Sequence, residues 1–207
     1  MSKKIKDLLE QAKLNENESS ISSADKTFSD EAQAARVFSI LKTKILNIEE
    51  WNEHALLTAY QLFDETGDNC QTGNLSVGVF IRISMTGSGK YDWIKIINIR
   101  ETPNEFIITV KPTCDPTAEK PDENIISHFF TDEATNNFCV LREAEKVGFY
   151  VIGLNEKQNT SETKNTLETI RNVAVNLGTY LGIQKGEWEK FCHHLLEDAA
   201  NESDKTK

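Results

Sequence analysis

The stretch "MTGSGKYDW", residues 85–93, is the part of this chain whose residue types and spacing come nearest to a known chemical device. Gly87-Ser88-Gly89-Lys90 reads as the tail of a phosphate-cradling loop, which needs G-x-x-x-x-G-K-[ST] between a strand and a helix. Counting back from Gly89 puts Ser84 where the first glycine belongs, and Tyr91 stands where Ser or Thr would hold magnesium. A phosphate also needs a helix N-terminus after the lysine, yet residues 91–100 read as a strand. The loop is therefore expected to be a hairpin turn in which glycine supplies positive φ. No nucleotide or other cofactor is implied.

The histidines and cysteines point to no catalytic centre either. His193 and His194 are helix neighbours about 100° apart and cannot chelate one ion as an i, i+4 pair can. His54 falls in a short helix and His128 in a strand beside Phe129 and Phe130, with no carboxylate read at ligand spacing near any of them. No metal site is expected. There is no G-x-S-x-G elbow, and Cys192, the one cysteine with a histidine nearby, lies on a packing face. No catalytic residue is assigned.

The residues that stand out are charged and aromatic groups inside strands. Arg82, Arg100 and Arg142 sit in or at the ends of strand-like runs. Alternation lets each point to solvent. It equally lets Arg82 face an internal cavity and pair with a ligand carboxylate, with Tyr60, Trp93, His128 and Phe130 as wall residues. Each of these could also be ordinary core.

The elements that must position these groups follow from periodicity. Residues 3–14 pattern as a short amphipathic helix carrying Ile5, Leu8, Leu9 and Ala12 on one side. "NENESSISSADKTFSD" is polar and Ser-rich, so residues 1–28 are expected to be a tail with a short helix. The domain is set at 29–200. A helix is expected from a Ser29 cap, with Ala34, Phe38, Leu41, Ile45 and Ile48 as its stripe. A second helix starts at Asn47, with Glu50 placed as in a capping box and Trp51 as its anchor.

From Leu56 the period becomes two. In "LSVGVFIRISM", Val77, Val79, Ile81 and Ile83 share one face, while Phe80, Arg82 and Ser84 share the other. "YDWIKIINIR", "FIITVK", "IISHFFT", "NNFCVLREA" and "VGFYVIGLNE" follow with connections too short for crossover helices, which predicts an antiparallel meander of six or seven strands. Leu167, Ile170, Ala174, Leu177 and Leu181 then mark a long helix capped at Gly182. A final helix over 185–199 carries Trp188, Phe191, Cys192, Leu195, Leu196 and Ala199, and 201–207 is expected to fray.

Composition limits the partners. The 207 residues carry a formal charge of −10, which opposes binding to nucleic acid or anionic lipid. No apolar run approaches the roughly 18 residues a bilayer span needs, so no stable membrane insertion is expected. The N-terminus lacks an apolar signal core. The four scattered cysteines fit reduced thiols. Together these point to the cytoplasm.

The order of elements resembles the helix-grip fold of the START and polyketide-cyclase-like superfamily. "AARVFSILKTKILNIEEWNEHA", "NNFCVLREAEKVGFYVIGLNE" and helix 161–182 carry the likeness, over residues 29–182. Two departures are visible: only "KTF" could supply the strand that usually precedes the first helix, and a helix at 185–199 is extra. The resemblance implies an α+β fold with a curved antiparallel sheet, a long C-terminal helix packed across it, and a cavity between them. Family members use that cavity for lipids, hormones, polyketides or other hydrophobic molecules. Three functions follow: a binding protein for a small hydrophobic or amphipathic ligand, an adaptor that meets a protein partner through residues 1–28, and, third, a cyclase- or hydrolase-like enzyme using Arg82, His128 and Tyr60 for proton transfer.

Overall fold

Alternating apolar strands need a second layer to cover one face, and here helices cover both. The computed structural model describes residues 3–55, 57–70, 73–85, 91–159 and 177–205, with side chains from 185 onward in the last stretch. Among the described residues there are four α-helices and eight strands. They run α1 (Lys3–Leu14), β1 (Ser20–Thr27), α2 (Glu31–Leu46), α3 (Ile48–His54), β2 (Thr58–Phe63), β3 (Asn69–Cys70), β4 (Phe80–Met85), β5 (Tyr91–Thr102), β6 (Glu105–Pro112), β7 (Thr135–Glu143), β8 (Lys146–Leu154) and α4 (Leu177–Lys205). The strands form one antiparallel sheet in the order β1-β8-β7-β6-β5-β4-β2-β3. This is the expected α+β class, with a C-terminal helix across an antiparallel sheet.

Register sorts the two faces. Ile81 pairs with Ile94, Ile108 with Phe138 and Phe138 with Val151, and these side chains join Phe106, Val140 and Phe149 under α2, α3 and α4. The stripe Ala34, Phe38, Leu41 and Ile45 of α2 is buried there, as its spacing predicts. The opposite face is covered in part by α1, whose Ile5, Leu8 and Ala12 pack on Ile107, Cys139, Leu141, Ile152 and Leu154.

Four local expectations change. First, Ser20–Thr27 is not tail but an edge strand paired with β8, from Ser20 opposite Gly153 to Thr27 opposite Lys146. Its small residues Ser22 and Ala24 are buried, and Cys192 of α4 donates its thiol to the Ser22 carbonyl at 3.7 Å. A strand beneath a close-packed helix needs small side chains, so its polarity conceals it. It also supplies the strand that "KTF" only hinted at.

Second, "IISHFFT" is no strand. Residues 113–134 form an irregular connection in which Phe130 makes only an isolated bridge to Gln158. The glycine of the β2–β3 turn, Gly67, has φ +87° and sits so close to this connection that a Cβ would lie 2.7 Å from the Pro116 carbonyl.

Third, α4 does not break at Gly182 but runs unbroken through it. A helical glycine costs only about 1 kcal/mol, and the apolar face formed by Phe191, Cys192, Leu195, Leu196 and Ala199 outweighs that. The segment expected as an extra helix is thus part of the helix that grips the sheet. The stripe at Leu167, Ile170 and Ala174 lies outside the described residues. The C-terminal end is held as well: Gln33 Nε2 donates to Asp204 Oδ1 at 2.7 Å.

Fourth, α2 is capped by Asp30 rather than Ser29. Asp30 Oδ1 accepts from the Gln33 amide at 2.7 Å. That bond, with the Ser29 hydroxyl, holds the Asp30 carboxyl below its usual range.

Candidate functional site

A narrow crevice opens onto the helix-facing interior where α3, β2 and α4 meet. Asn52 of α3 stitches the helix to β2, its Nδ2 donating to the Tyr60 carbonyl at 2.9 Å and its Oδ1 accepting from the Tyr60 amide at 2.7 Å. This lock places Trp51 against Tyr60, with ring centroids 5.4 Å apart and planes at 78°. Trp51 also meets Phe138 at 4.5 Å, Trp188 at 6.1 Å and Phe191 at 5.6 Å. The indole N–H donates to the Ile45 carbonyl at 2.9 Å, at the junction where α2 turns into α3.

The rim of the crevice is polar. The Glu187 carboxylate of α4 accepts from the Leu57 amide at 2.7 Å and from the Thr58 hydroxyl at 3.4 Å. The Tyr60 hydroxyl lies within hydrogen-bond distance of Thr58 Oγ1, at 3.2 Å. Burial pushes the Tyr60 phenol well above its ordinary value, so it remains protonated. The free volume here is about 10 Å³, room for at most one water. The described side chains thus leave little free space at this crevice, where the resemblance implied a cavity.

Of the five residues expected at the cavity, only Tyr60 lines this crevice. Arg82 and Trp93 are cross-strand partners on the opposite face of the sheet. There the guanidinium lies 4.2 Å from the Tyr91 ring, 5.2 Å from Phe63 and 5.9 Å from Trp93, and it hydrogen-bonds Gln61. Trp93 is buried with Phe63 and Phe80 in a separate small cluster. The reason is the period of two: Tyr60 opposes Ile83, whereas Arg82 opposes Gln61. Arg82 thus takes the face away from the helices, stacked on aromatic rings. Arg100 is exposed, and Arg142 binds the Asn104 carbonyl oxygen Oδ1 at 2.6 Å.

His128 and Phe130 lie in the irregular connection, whose backbone runs along β5. The Trp93 amide donates to the Ser127 carbonyl at 2.8 Å, and the Phe129 amide to Asp92 Oδ1 at 3.1 Å. His128 Nδ1 accepts from the Phe130 amide at 2.9 Å, and Asn159 Nδ2 clamps the carbonyls of Ile126 and His128. With Tyr60, Arg82 and His128 in three different settings, the expected proton-transfer constellation does not assemble.

Burial pulls His128 below the ordinary histidine value, partly opposed by Asp92. The sign of the resulting pH effect follows directly. The unfolded chain takes up a proton below about pH 6.5 and the folded chain resists it, so this stability is present above pH 6.5 and lost as the pH falls below it. Urea unfolding followed from pH 7.5 to 5.5 is expected to show the loss, and His128→Gln to flatten the slope. A variant with the same slope as the parent would remove His128 as its origin.

The glycine-lysine loop Thr86–Lys90 lies outside the described residues. The strands on either side of it are antiparallel neighbours, with Ser84 opposite Tyr91, so no helix N-terminus follows the lysine. Cys139 and Cys192 are buried, and burial pushes both thiols upward, which leaves them poor nucleophiles.

One group escaped the sequence reading. Glu50, Glu53 and His54 of α3 have ligand atoms all within 4.8 Å of one another, and Asp198 of α4 reaches His54. The signal is present in the sequence, since Glu50 and His54 stand i and i+4 on one helix. It is hidden because Glu50 also fits the position of a capping residue. Asn47 caps the helix as expected, its side chain accepting from the Glu49 amide at 3.1 Å, while Glu50 turns to Lys44.

No protein-family model matches the chain, and no curated protein matches its sequence. Solved structures match in fold. The hypothetical protein jhp0584 from Helicobacter pylori superposes with a TM-score of 0.50 over 87% of this chain and 88% of its own, at 6% identity. TTHA0849 from Thermus thermophilus reaches a TM-score of 0.41 at 9% identity, over 87% and 97% of the two chains. Ara h 8.0201 reaches 0.38 at 11% identity, over 86% and 99%. At such identities the likeness concerns the fold alone. No helix among the described residues is long and apolar enough to cross a membrane.

Proposed function

We propose that this chain is a binding protein whose ligand is small and amphipathic and enters between α3, β2 and α4. The observation that carries this reading is the crevice itself. Four aromatic side chains from three elements, Trp51, Tyr60, Trp188 and Phe191, meet a polar rim of His54, Thr58 and Glu187. Apolar walls with a few convergent polar groups are the usual make-up of a small-molecule site. The helix-grip resemblance supports the same substrate class, by analogy of fold.

A ligand of ordinary size needs roughly 300 Å³ or more, so it must displace a side chain. Trp188 is the one placed to move: it is only half buried and packs edge-on against Trp51, Phe138 and Phe191. Native mass spectrometry of the full chain, purified without detergent, is expected to show an added small mass that collisional activation removes. Trp188→Ala is expected to raise its occupancy. An empty spectrum for both proteins, with the variant folded by circular dichroism, would sink the proposal.

The small free volume of the crevice favours a second reading, an interaction module that holds no ligand. On that reading the intact chain retains a protein partner in pull-downs while native spectra stay empty. Because residues 20–27 are a strand of the sheet, the segment is tested by point substitution: loss of the same partner on Lys6→Ala with Glu10→Ala, both exposed on α1, would place the contact there.

A further inference from the structure

We infer that the junction of α3 and α4 is a binding site for a first-row divalent cation of the zinc type, held by Glu50, Glu53, His54 and Asp198. The donors come from two helices that Trp51 and its aromatic neighbours hold in fixed relation, so the site is preorganised by the core beside it. The inference does not depend on the proposed ligand crevice.

Three observations converge. The first is geometry. His54 Nε2 lies 3.2 Å from Asp198 Oδ2. Two donors on a tetrahedral zinc ion, each at about 2.0–2.1 Å, stand about 3.3 Å apart. The nearest oxygens of Glu50 and Glu53 fall within the same 4.8 Å cluster as His54.

The second is unmet bonding. His54 Nε2 and Glu50 Oε2 are both buried and without a hydrogen-bond partner. The approach of Asp198 to the imidazole is thus within ion-pair distance but off the line of a hydrogen bond. Buried polar atoms are nearly always satisfied, and two in one cluster, one nitrogen and one oxygen, match the donor set of a borderline cation.

The third is charge. Lys44 binds Glu50 Oε1 at 3.1 Å and approaches Glu202 at 3.6 Å. Glu50 and Glu202 thus share the Lys44 ammonium, while Glu53 and Asp198 bring further carboxylates to His54, and a divalent cation would offset part of that negative charge.

The donor types choose the class. Imidazole with carboxylates suits zinc and its first-row neighbours, whereas calcium and magnesium take oxygen alone. His194 brings a second imidazole to the edge of the site, its ring centroid 5.5 Å from that of His54. His193, on the neighbouring helical direction, is exposed and takes no part.

The test uses the full chain stripped with a chelator and titrated with Zn²⁺ by calorimetry, with Co²⁺ absorption as a spectroscopic readout of coordination. One ion per chain is expected. His54→Gln and Asp198→Asn are each expected to weaken binding on the order of 100-fold, and His193→Gln to leave it unchanged. Should His54→Gln fail to fold by circular dichroism, Asp198→Asn, at a half-exposed carboxylate, carries the test alone. The inference is overturned if wild type takes up neither ion, or if Asp198→Asn binds Zn²⁺ as tightly as wild type does.

Discussion

Replacing Trp51 with alanine is expected to cost about 3–5 kcal/mol of folding free energy, the largest single-residue effect we anticipate. The side chain is 1% exposed and is the point where α3, β2, β7 and α4 meet, through Tyr60, Phe138, Trp188 and Phe191. Truncation removes these contacts and leaves a void that four aromatic rings on three other elements cannot all move to fill. It also strips the Ile45 carbonyl of its indole donor, which adds about 1 kcal/mol. Against a domain stability of about 5–15 kcal/mol, this approaches the whole. Trp51→Phe keeps most of the ring contacts and loses the N–H, so a smaller cost of about 1–2 kcal/mol is expected. Urea denaturation of both variants measures it. A loss below about 1 kcal/mol for the alanine variant would show that Trp51 is not the keystone of this corner.

The second large effect concerns α1. Ile5 and Leu8 are buried on the face of the sheet away from the other helices, over Cys139. An isolated helix of 12 residues is marginal in water, so α1 is ordered by docking. Ile5→Asp with Leu8→Asp places two carboxylates against an apolar surface, and the helix should come away without unfolding the sheet, whose other core is separate. Cys139 reports this directly. In the native chain it is fully buried, and burial together with Glu105 pushes its thiol upward. In the double variant, alkylation of Cys139, read by peptide mass spectrometry, is expected to accelerate by about two orders of magnitude or more, as protection from local opening is lost. Cys192, on the buried face of α4, should stay protected in both. Equal labelling of Cys139 in parent and variant would mean that α1 is not what covers it.

These two sites differ in how far the sequence reveals them. Trp51 is legible as an anchor, because an aromatic residue in a short helix next to an apolar stripe has few other uses. The docking face of α1 is legible as a stripe, but its destination is not, since a 12-residue pattern says that a face is buried and not against what. The β4 alternation correctly separates Ile81 and Ile83 from Phe80, Arg82 and Ser84. It does not say which set faces the helices, so it allows Arg82 a cavity from which the sheet excludes it. "IISHFFT" is apolar enough to read as a strand, and His128 with it. In the fold that segment spends its backbone groups on Trp93, Asp92 and Asn159 instead.

By itself the sequence determined the local periods: the amphipathic helices, the antiparallel meander, the acidic surface and the failure of the glycine-lysine loop to meet the needs of a phosphate site. These are properties of neighbours along the chain, where spacing of 2 or 3.6 residues settles which side chains share a face. Tertiary structure alone decided that Ser20–Thr27 is a strand, that Tyr60 and Arg82 lie on opposite faces, and that His54 meets Asp198. Each of these depends on contact between residues far apart in sequence, where register and the closeness of a packed helix, and not local preference, fix what touches what.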